Sequence, residues 1–167
     1  LKSFVDKSGI PVALTLLGLG AFPADHPLYV GYLGMHGNYA PNILTNECDV
    51  ILAVGMRFDD RVTGDVSRDA KQAKVIHIDI DPAEINKIIK ADVAVHADAK
   101  DALEALTTII EKKEYPVWLN QFRELEQIEK NEVVENAVNP EGLELRMAEV
   151  VDKLSQTVIC ASDSFYF

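Results

Sequence analysis

A dense group of charged residues directly follows an apolar run in the first half of the sequence. Residues 50–54 are all apolar, and Gly55-Met56-Arg57-Phe58-Asp59-Asp60-Arg61-Val62 comes immediately after them. Such a run is typical of a strand buried on both faces, and its closing glycine permits the sharp turn at which α/β sheets bind ligands. A turn alone gains nothing from two guanidinium groups. Arginine beside aspartate therefore indicates a ligand that carries both phosphate and hydroxyl groups.

Two further carboxylates, Asp79 and Asp81, come at the end of the apolar run at residues 74–80. In dinucleotide-binding sheets, acidic side chains at this position accept hydrogen bonds from ribose hydroxyls. Plainer interpretations stay open for both residues. Asp81 could cap a helix that begins at Pro82, with Glu84 completing a capping box, and Asp79 could be a solvated strand end.

The segment Gly34-Met35-His36-Gly37 is a weaker candidate. Its methionine and histidine could pack against a flat ring or donate to it, but a plain glycine-flanked loop would look the same. Catalytic motifs are mostly absent from the sequence. The four histidines lack metal-ligand spacing, and there is no Walker loop, complete dinucleotide fingerprint or serine nucleophile elbow. The residues by themselves predict nucleotide binding rather than chemistry.

The elements that must position these residues alternate between strands and helices, which is typical of a parallel α/β sheet with helices on both faces. Strands are predicted at residues 10–16, 50–54, 74–80 and 92–96. Helices are predicted at residues 1–8, 42–47, 81–89, 102–110 and 116–131, with a loop at 17–37. Asp98-Ala99-Lys100-Asp101 repeats the acidic helix start.

A domain boundary is predicted where the sequence becomes polar, at residues 132–141, because Asn139-Pro140 breaks any helix there. One domain is expected over residues 1–138. Residues 139–167 would be a linker and the beginning of a second domain, with a strand at 157–161. Since one strand cannot close a sheet, and residues 1–8 look like the end of a helix, we expect the chain to be a fragment of a longer protein.

Composition limits the class of partner. The net charge of −11 and the pI near 4.7 argue against nucleic acid and anionic membranes, which attract basic surfaces. Cys48 and Cys160 lie in or beside apolar runs, which predicts buried free thiols and a reducing compartment, cytosolic or organellar. We expect a cytoplasmic protein. The sequence shows neither a leader nor an apolar stretch of the roughly 18 residues needed to span a bilayer, so we expect a soluble protein.

Four segments together resemble the central domain of the acetolactate synthase (acetohydroxyacid synthase) catalytic large subunit, in the thiamine-diphosphate-dependent enzyme family. They are Thr15-Leu16-Leu17-Gly18-Leu19-Gly20-Ala21-Phe22-Pro23, Leu33-Gly34-Met35-His36-Gly37, Gly55-Met56-Arg57-Phe58-Asp59-Asp60-Arg61-Val62-Thr63-Gly64 and His77-Ile78-Asp79-Ile80-Asp81-Pro82-Ala83-Glu84-Ile85. The resemblance is close over about residues 1–110 and weakens beyond them. The Arg-Phe-Asp-Asp-Arg-Val stretch separates this family from most other thiamine-diphosphate enzymes.

The resemblance implies a Rossmann-like domain that binds FAD in a role that is not redox. It also implies a parent enzyme that uses thiamine diphosphate and Mg²⁺ to decarboxylate pyruvate and join the product to a second 2-keto acid, in branched-chain amino acid biosynthesis. A homo-oligomer with a possible regulatory small subunit would follow. The FAD-binding positions carried over are Thr15, Leu16, Leu17, Gly34, Met35 and His36 along the flavin and ribityl chain; Gly55, Arg57 and Arg61 near the ribityl and pyrophosphate groups, with Asp59 nearby; and Asp79, Ile80 and Glu84 around the adenosine. Met56, Val62 and Asp98 are also expected to bind the cofactor.

The chain also departs from the family pattern. The family's first strand, which ends in a glycine cluster, is missing before Leu1, and Ala97-Asp98 stands where the family usually has Gly-Asp. The family's catalytic glutamate and its Gly-Asp-Gly metal motif belong to flanking domains, so no catalytic or metal residue is expected here and the chain alone should be inactive. Ala161-Ser162-Asp163-Ser164-Phe165 replaces the usual Thr-Asp-Val-Gly. The alternatives are a related carboligase or decarboxylase domain that binds ADP or coenzyme A, and a cofactor-free scaffold domain between subunits.

Overall fold

The computed structural model describes residues 1–63 and 72–131, and it confirms the predicted α/β class. The helices are α1 (Lys2–Ser8), α2 (Tyr39–Thr45), α3 (Asp60–Thr63), α4 (Ala99–Ile109) and α5 (Pro116–Glu129). The strands are β1 (Val12–Leu14), β2 (Tyr29–Tyr32), β3 (Val50–Val54), β4 (Lys74–Asp79) and β5 (Val93–His96). The predicted boundary at residues 132–141, the second domain and Cys160 lie outside the described residues.

All the strand pairs in this part of the chain are parallel. β1 pairs with β2, and β3, β4 and β5 form a separate three-stranded sheet in that order. In the larger sheet, the register places Ala53 beside His77 and His77 beside Ala94. Because parallel strands end on the same side, each sheet presents the segments that follow its strands at one edge.

Helices cover both faces of β1, as predicted, because successive side chains of a strand point to opposite faces. Leu14 belongs to one core cluster with side chains of α1 and α4, and Ala13 packs against another formed by β2, α2 and α5. The buried members of the first cluster are Phe4, Val5, Leu14, Phe22 and Leu103; those of the second are Val30, Ala40, Leu44 and Phe122.

The side chains of β3 also belong to two different core clusters. Leu52 and Val54 pack against the α1 and α4 cluster, whereas Ala53 lies in a third cluster with Phe58 and Val75. The prediction that β3 is buried on both faces is only partly correct. Both faces pack against core clusters, but Ala53 is the only fully buried residue of the strand. β3 lies at the edge of its three-stranded sheet, where fewer neighbours cover the side chains.

Two predicted elements differ in the structure. The segment predicted as a loop at residues 17–37 contains β2, which was missed because this four-residue strand includes Gly31. The helix predicted at residues 81–89 is replaced by turns. Asn86 adopts a left-handed φ of 61°, and its Oδ1 accepts a hydrogen bond from the Ala91 N–H at 2.8 Å, so the chain turns toward β5 before a helix can continue.

Cys48 is half-buried rather than buried, and its Sγ donates to the carbonyl oxygen of Thr45 at 3.0 Å. Within residues 1–63 and 72–131, none of the helices combines the length and the apolar character needed to cross a membrane.

The carboxylate of Asp6 joins α1 to the loop before β2. Its Oδ2 accepts a hydrogen bond from Lys2 Nζ at 2.7 Å, and its Oδ1 lies 2.9 Å from His26 Nε2. Because His26 Nδ1 accepts from the Leu28 N–H at 3.1 Å, the proton belongs on the nitrogen that faces Asp6. The hydrogen bonds from Lys2 and His26 hold the pKa of Asp6 below its ordinary value of 3.8.

This lowered pKa predicts a pH-dependent contribution to stability. A carboxylate whose folded pKa lies below the unfolded value stabilises the fold above 3.8, and that stabilisation disappears as the pH falls through the folded pKa. Asp6→Asn should therefore lower the urea midpoint at neutral pH, and the difference from wild type should vanish in acid. The effect should be small, since the pair is exposed. Asp25→Asn is the matched control; an equal pH-dependent loss in that variant would contradict the assignment.

Candidate functional site

The sequence-predicted site residues all follow the carboxyl end of a strand or lie at it. Thr15, Leu16 and Leu17 come after β1; Gly34, Met35 and His36 after β2; Gly55, Met56, Arg57, Asp59, Arg61 and Val62 after β3; Asp79 ends β4, with Ile80 and Glu84 beyond it; and Asp98 follows β5. The Met35 N–H donates to the Arg61 carbonyl oxygen at 2.7 Å, so the segment after β2 meets the segment after β3. The carboxyl edges of the two sheets are therefore adjacent.

Asn42 holds the segment after β2 in place. Its Oδ1 accepts from the Gly34 N–H and its Nδ2 donates to the Gly34 carbonyl oxygen, both at 3.0 Å. Asn38, four residues earlier, accepts from the Tyr32 N–H through its Oδ1 at 3.2 Å. The predicted loop is thus held in place by side chains at the start of α2. Sequence reasoning missed both asparagines; their four-residue spacing directly after a glycine-rich segment is the signal that could have revealed them.

Gly34 is required by the close approach of two backbones. Its φ is 112°, and a Cβ at this position would lie 2.7 Å from the carbonyl oxygen of Arg61. Gly55, at φ 61°, differs because a Cβ there would meet no atom within 4 Å. At Gly55 only the left-handed backbone conformation favours glycine, and the open space beside it permits close approach by a ligand.

The segment after β3 leaves its two arginine side chains exposed. The side chain of Arg57 is 56% exposed, Arg61 is exposed, and Phe58 between them is buried. Arg57 Nη2 lies 3.8 Å from Asp59 Oδ2, a solvent-exposed pair that contributes little to stability. Asp59 also accepts a hydrogen bond from the Val62 N–H through Oδ1 at 3.2 Å. The segment therefore presents two guanidinium groups in a backbone that is locally ordered.

Asp79 is buried, with 7% of its surface exposed, so the interpretation of a solvated strand end is wrong. Its Oδ1 accepts from the Asp81 N–H at 2.8 Å, and its Oδ2 lies 3.7 Å from His77 Nε2. Asp81 accepts from the Ala83 N–H at 2.9 Å, which is the predicted capping interaction but within a turn rather than a helix. Asp79 thus places a held carboxylate at the end of β4.

The side chains of Thr15 and Asp98 accept hydrogen bonds from backbone N–H groups two or three residues further along the chain. Thr15 Oγ1 accepts from the Gly18 N–H at 3.2 Å, and Asp98 Oδ1 caps α4 by accepting from the Lys100 N–H at 2.7 Å. Glu84 is paired with Lys87 Nζ at 2.7 Å. By contrast, large apolar side chains at the same edge are 58 to 73% exposed: Leu16, Leu17, Met35 and Ile80. Exposed apolar side chains beside charged groups are typical of a surface that binds a ligand or another chain.

The chemistry of this edge suits a nucleotide that includes a flat ring. Guanidinium groups pair with phosphate oxygens, a strand-end carboxylate accepts from ribose hydroxyls, and exposed aliphatic and thioether groups pack against a ring. In the described part of the chain, no group of three or more His, Cys, Asp and Glu side chains could hold a metal ion.

The fold and this edge define the class of protein. Residues 1–106 match the family described as thiamine pyrophosphate enzyme, central domain, and the chain belongs to this family. Individual relatives have names that describe a narrower group within this family. The chain is 43% identical over 159 residues to the probable acetolactate synthase large subunit of Methanocaldococcus jannaschii, a match that covers 90% of this chain and 27% of that protein.

Two other relatives carry the same kind of name. The acetolactate synthase isozyme 2 large subunit of Escherichia coli is 46% identical over 124 residues, which are 74% of this chain and 23% of that protein. The chloroplastic acetolactate synthase 1 of Zea mays is 49% identical over 111 residues, which are 66% of this chain and 17% of that protein. The chain therefore spans about a quarter or less of the length of these relatives, and the resemblance to their central domain is confirmed.

Substitution of Gly34 should separate close approach from backbone conformation. Gly34→Ala adds a methyl group against the Arg61 carbonyl oxygen, whereas Gly20→Ala, at φ 92°, adds one in open space. We expect Gly34→Ala to lower the free energy of unfolding in urea by at least about 2 kcal/mol more than Gly20→Ala does. Equal losses in the two variants would show that the contact with Arg61 is unimportant.

Proposed function

We propose that this chain is the central domain of an acetolactate synthase large subunit and that it binds FAD at the carboxyl edge of its parallel strands. The observation that carries the proposal is the arrangement of Arg57 and Arg61 in the segment that contacts Met35 through the Arg61 carbonyl oxygen. The names of the relatives and the family of the chain support the same assignment.

Each part of FAD has a candidate partner. Arg57 and Arg61 would pair with the pyrophosphate, because planar guanidinium groups bind phosphate oxygens through paired hydrogen bonds. Asp79 would accept from the adenosine ribose, and the open space at Gly55 would let the ligand approach the backbone. The exposed side chains of Leu16, Leu17 and Met35 would pack along the flavin and ribityl chain. His36, Met56, Asp59, Val62, Ile80, Glu84 and Asp98 complete the proposed set.

In this role FAD would not take part in redox chemistry. The whole enzyme would decarboxylate pyruvate with thiamine diphosphate and Mg²⁺ and join the two-carbon unit to a second 2-keto acid, in branched-chain amino acid biosynthesis. The whole enzyme would also be a cytoplasmic homo-oligomer, with a regulatory small subunit as a possible partner. The residues of this chain would contribute cofactor binding and orientation.

The direct test is a titration of FAD fluorescence with the purified 167-residue chain, with ADP as competitor. Saturable quenching that only excess ADP reverses would support the FAD site. Tighter binding of ADP or coenzyme A than of FAD would instead favour a related carboligase or decarboxylase domain. No binding by a folded chain would overturn the proposal and favour a cofactor-free scaffold between subunits.

Removing either guanidinium should weaken binding of the pyrophosphate. We expect Arg57→Gln and Arg61→Gln each to raise the Kd for both FAD and ADP by about 10- to 100-fold, since hydrogen bonds to charged groups contribute about 1.5 to 3 kcal/mol. Lys74→Gln is the matched control, because it removes the same charge from an exposed residue at the opposite end of β4. A similar loss in the control would show that only net charge matters.

The 167-residue chain assayed by itself should form no acetolactate from pyruvate, thiamine diphosphate and Mg²⁺. The reason is that the chain matches the central domain of its family and spans 27% or less of the relatives named above. A colorimetric assay for acetoin after acid decarboxylation would measure the product. Turnover above that of a heat-denatured sample would contradict this prediction.

A further inference from the structure

We propose that Phe58 and His77 form a buried positioning pair that orders the arginine segment after β3 relative to Asp79. This inference rests on the proposed function, because it assigns to two buried residues the task of aligning the two polar parts of the nucleotide site. Neither residue is proposed to touch the ligand.

The first observation is the backbone conformation of Phe58. Its φ is 54°, a left-handed value that a bulky aromatic residue rarely adopts. Such conformations persist where the surrounding structure compensates for them, and they are concentrated at functional sites. Here the compensation is burial, since Phe58 is 3% exposed and packs in the cluster with Ala53 and Val75. With the Phe58 ring held inside, Arg57 on one side and Asp59 on the other lie at the surface.

The second observation is what the Phe58 ring contacts. It meets the imidazole of His77 edge to face, with ring centroids 5.1 Å apart and planes at 86°. His77 lies beside Ala53 and Ala94 in the sheet, and these two small side chains leave room for the rings. The contact therefore ties the middle of the arginine segment to β4.

The third observation is the position of His77 relative to Asp79. The two residues are two apart on β4, so they share a face of the sheet, and His77 Nε2 lies 3.7 Å from Asp79 Oδ2. His77 is 1% exposed, and neither ring nitrogen has a hydrogen-bond partner in the described structure. A buried imidazole without such partners is less favourable than an aliphatic residue of the same size, so a purely structural role gives no reason for a histidine here.

These contacts form one continuous path. Arg57 and Asp59 flank Phe58, Phe58 packs on His77, and His77 faces the carboxylate of Asp79. A change at either buried residue should therefore disturb the distance between the guanidinium groups and the carboxylate. Because adenosine and pyrophosphate are common to ADP and FAD, both nucleotides should lose affinity by the same factor.

Phe58→Ala, Phe58→Gly and His77→Phe test the pair, with Val75→Ala as the control from the same core cluster. Glycine accepts the φ of 54° without strain, so Phe58→Gly removes the side chain without leaving a strained residue, and Phe58→Ala removes the ring while keeping the Cβ. His77→Phe keeps an aromatic contact and removes the nitrogens. We expect each test variant to raise the Kd for ADP and FAD about tenfold at a temperature at which circular dichroism shows it folded. Val75→Ala should lower the urea midpoint and leave both Kd values unchanged.

Unchanged affinity in Phe58→Gly would mean that the ring positions nothing, and unchanged affinity in His77→Phe would mean the same for the imidazole nitrogens. An equal loss of affinity in Val75→Ala would reduce the pair to ordinary core packing. Each of these results would overturn the proposal.

A measurement without ligand distinguishes this inference from the proposed function. The Met35 amide bonds to the Arg61 carbonyl oxygen, and the Leu33 amide bonds to the Leu14 carbonyl oxygen at 2.7 Å as an internal reference. The exchange rate of Met35 relative to Leu33 should rise about tenfold in both Phe58 variants and stay constant in Val75→Ala. A constant ratio in all variants would overturn the positioning role. A wild-type chain that binds neither nucleotide would overturn the proposed function, whatever the exchange ratio shows.

Discussion

The parallel register of β3, β4 and β5 is the constraint on which the rest of this structure depends. Since the three strands run in the same direction, the segments that follow them emerge at one edge. The same register places the imidazole of His77 between two alanines, which leaves space for the Phe58 ring at the base of the arginine segment. The packing of Phe58 on His77 therefore supports the backbone that carries the charged residues of this edge.

The site separates its tasks between exposed and buried groups. Arg57 and Arg61 remain in contact with water, where two like charges in one segment cause little repulsion. Asp79 is buried but keeps one oxygen hydrogen-bonded to the Asp81 N–H, which supports its carboxylate. Asn42 holds the backbone of the segment after β2 through two hydrogen bonds to Gly34. Asn42 thus bonds the backbone alone, whereas Asp79 bonds the backbone through Oδ1 and is also proposed to accept from the ribose.

The proposed function accounts for candidate binding groups that are not accompanied by an obvious catalytic set among the described residues. A central domain that shares an enzyme with other domains can supply cofactor binding while the chemistry takes place elsewhere. The acidic chain could still hold a phosphate group, because two local guanidinium groups outweigh a distant net charge of −11 once salt screens it beyond about 10 Å. The exposed apolar groups of Leu16, Leu17, Met35 and Ile80 at the same edge suit the flat part of such a cofactor.

The sequence by itself determined the α/β class, the exact bounds of β3, the cap of α4 by Asp98 and the family, because apolar periodicity, helix-start signals and the Arg-Phe-Asp-Asp-Arg-Val stretch are local patterns. It did not determine β2, which is too short and carries a glycine. Nor did it determine the turns at residues 81–89, where the hydrogen bond that Asn86 Oδ1 accepts from the Ala91 N–H, just before β5, prevails over a good capping sequence. Only the tertiary structure decided that Asp79 is buried, that Gly34 lies against Arg61, and that Phe58 meets His77. These depend on contacts between residues far apart in the chain, and no local pattern of residue types specifies which distant atoms will lie within a few ångströms.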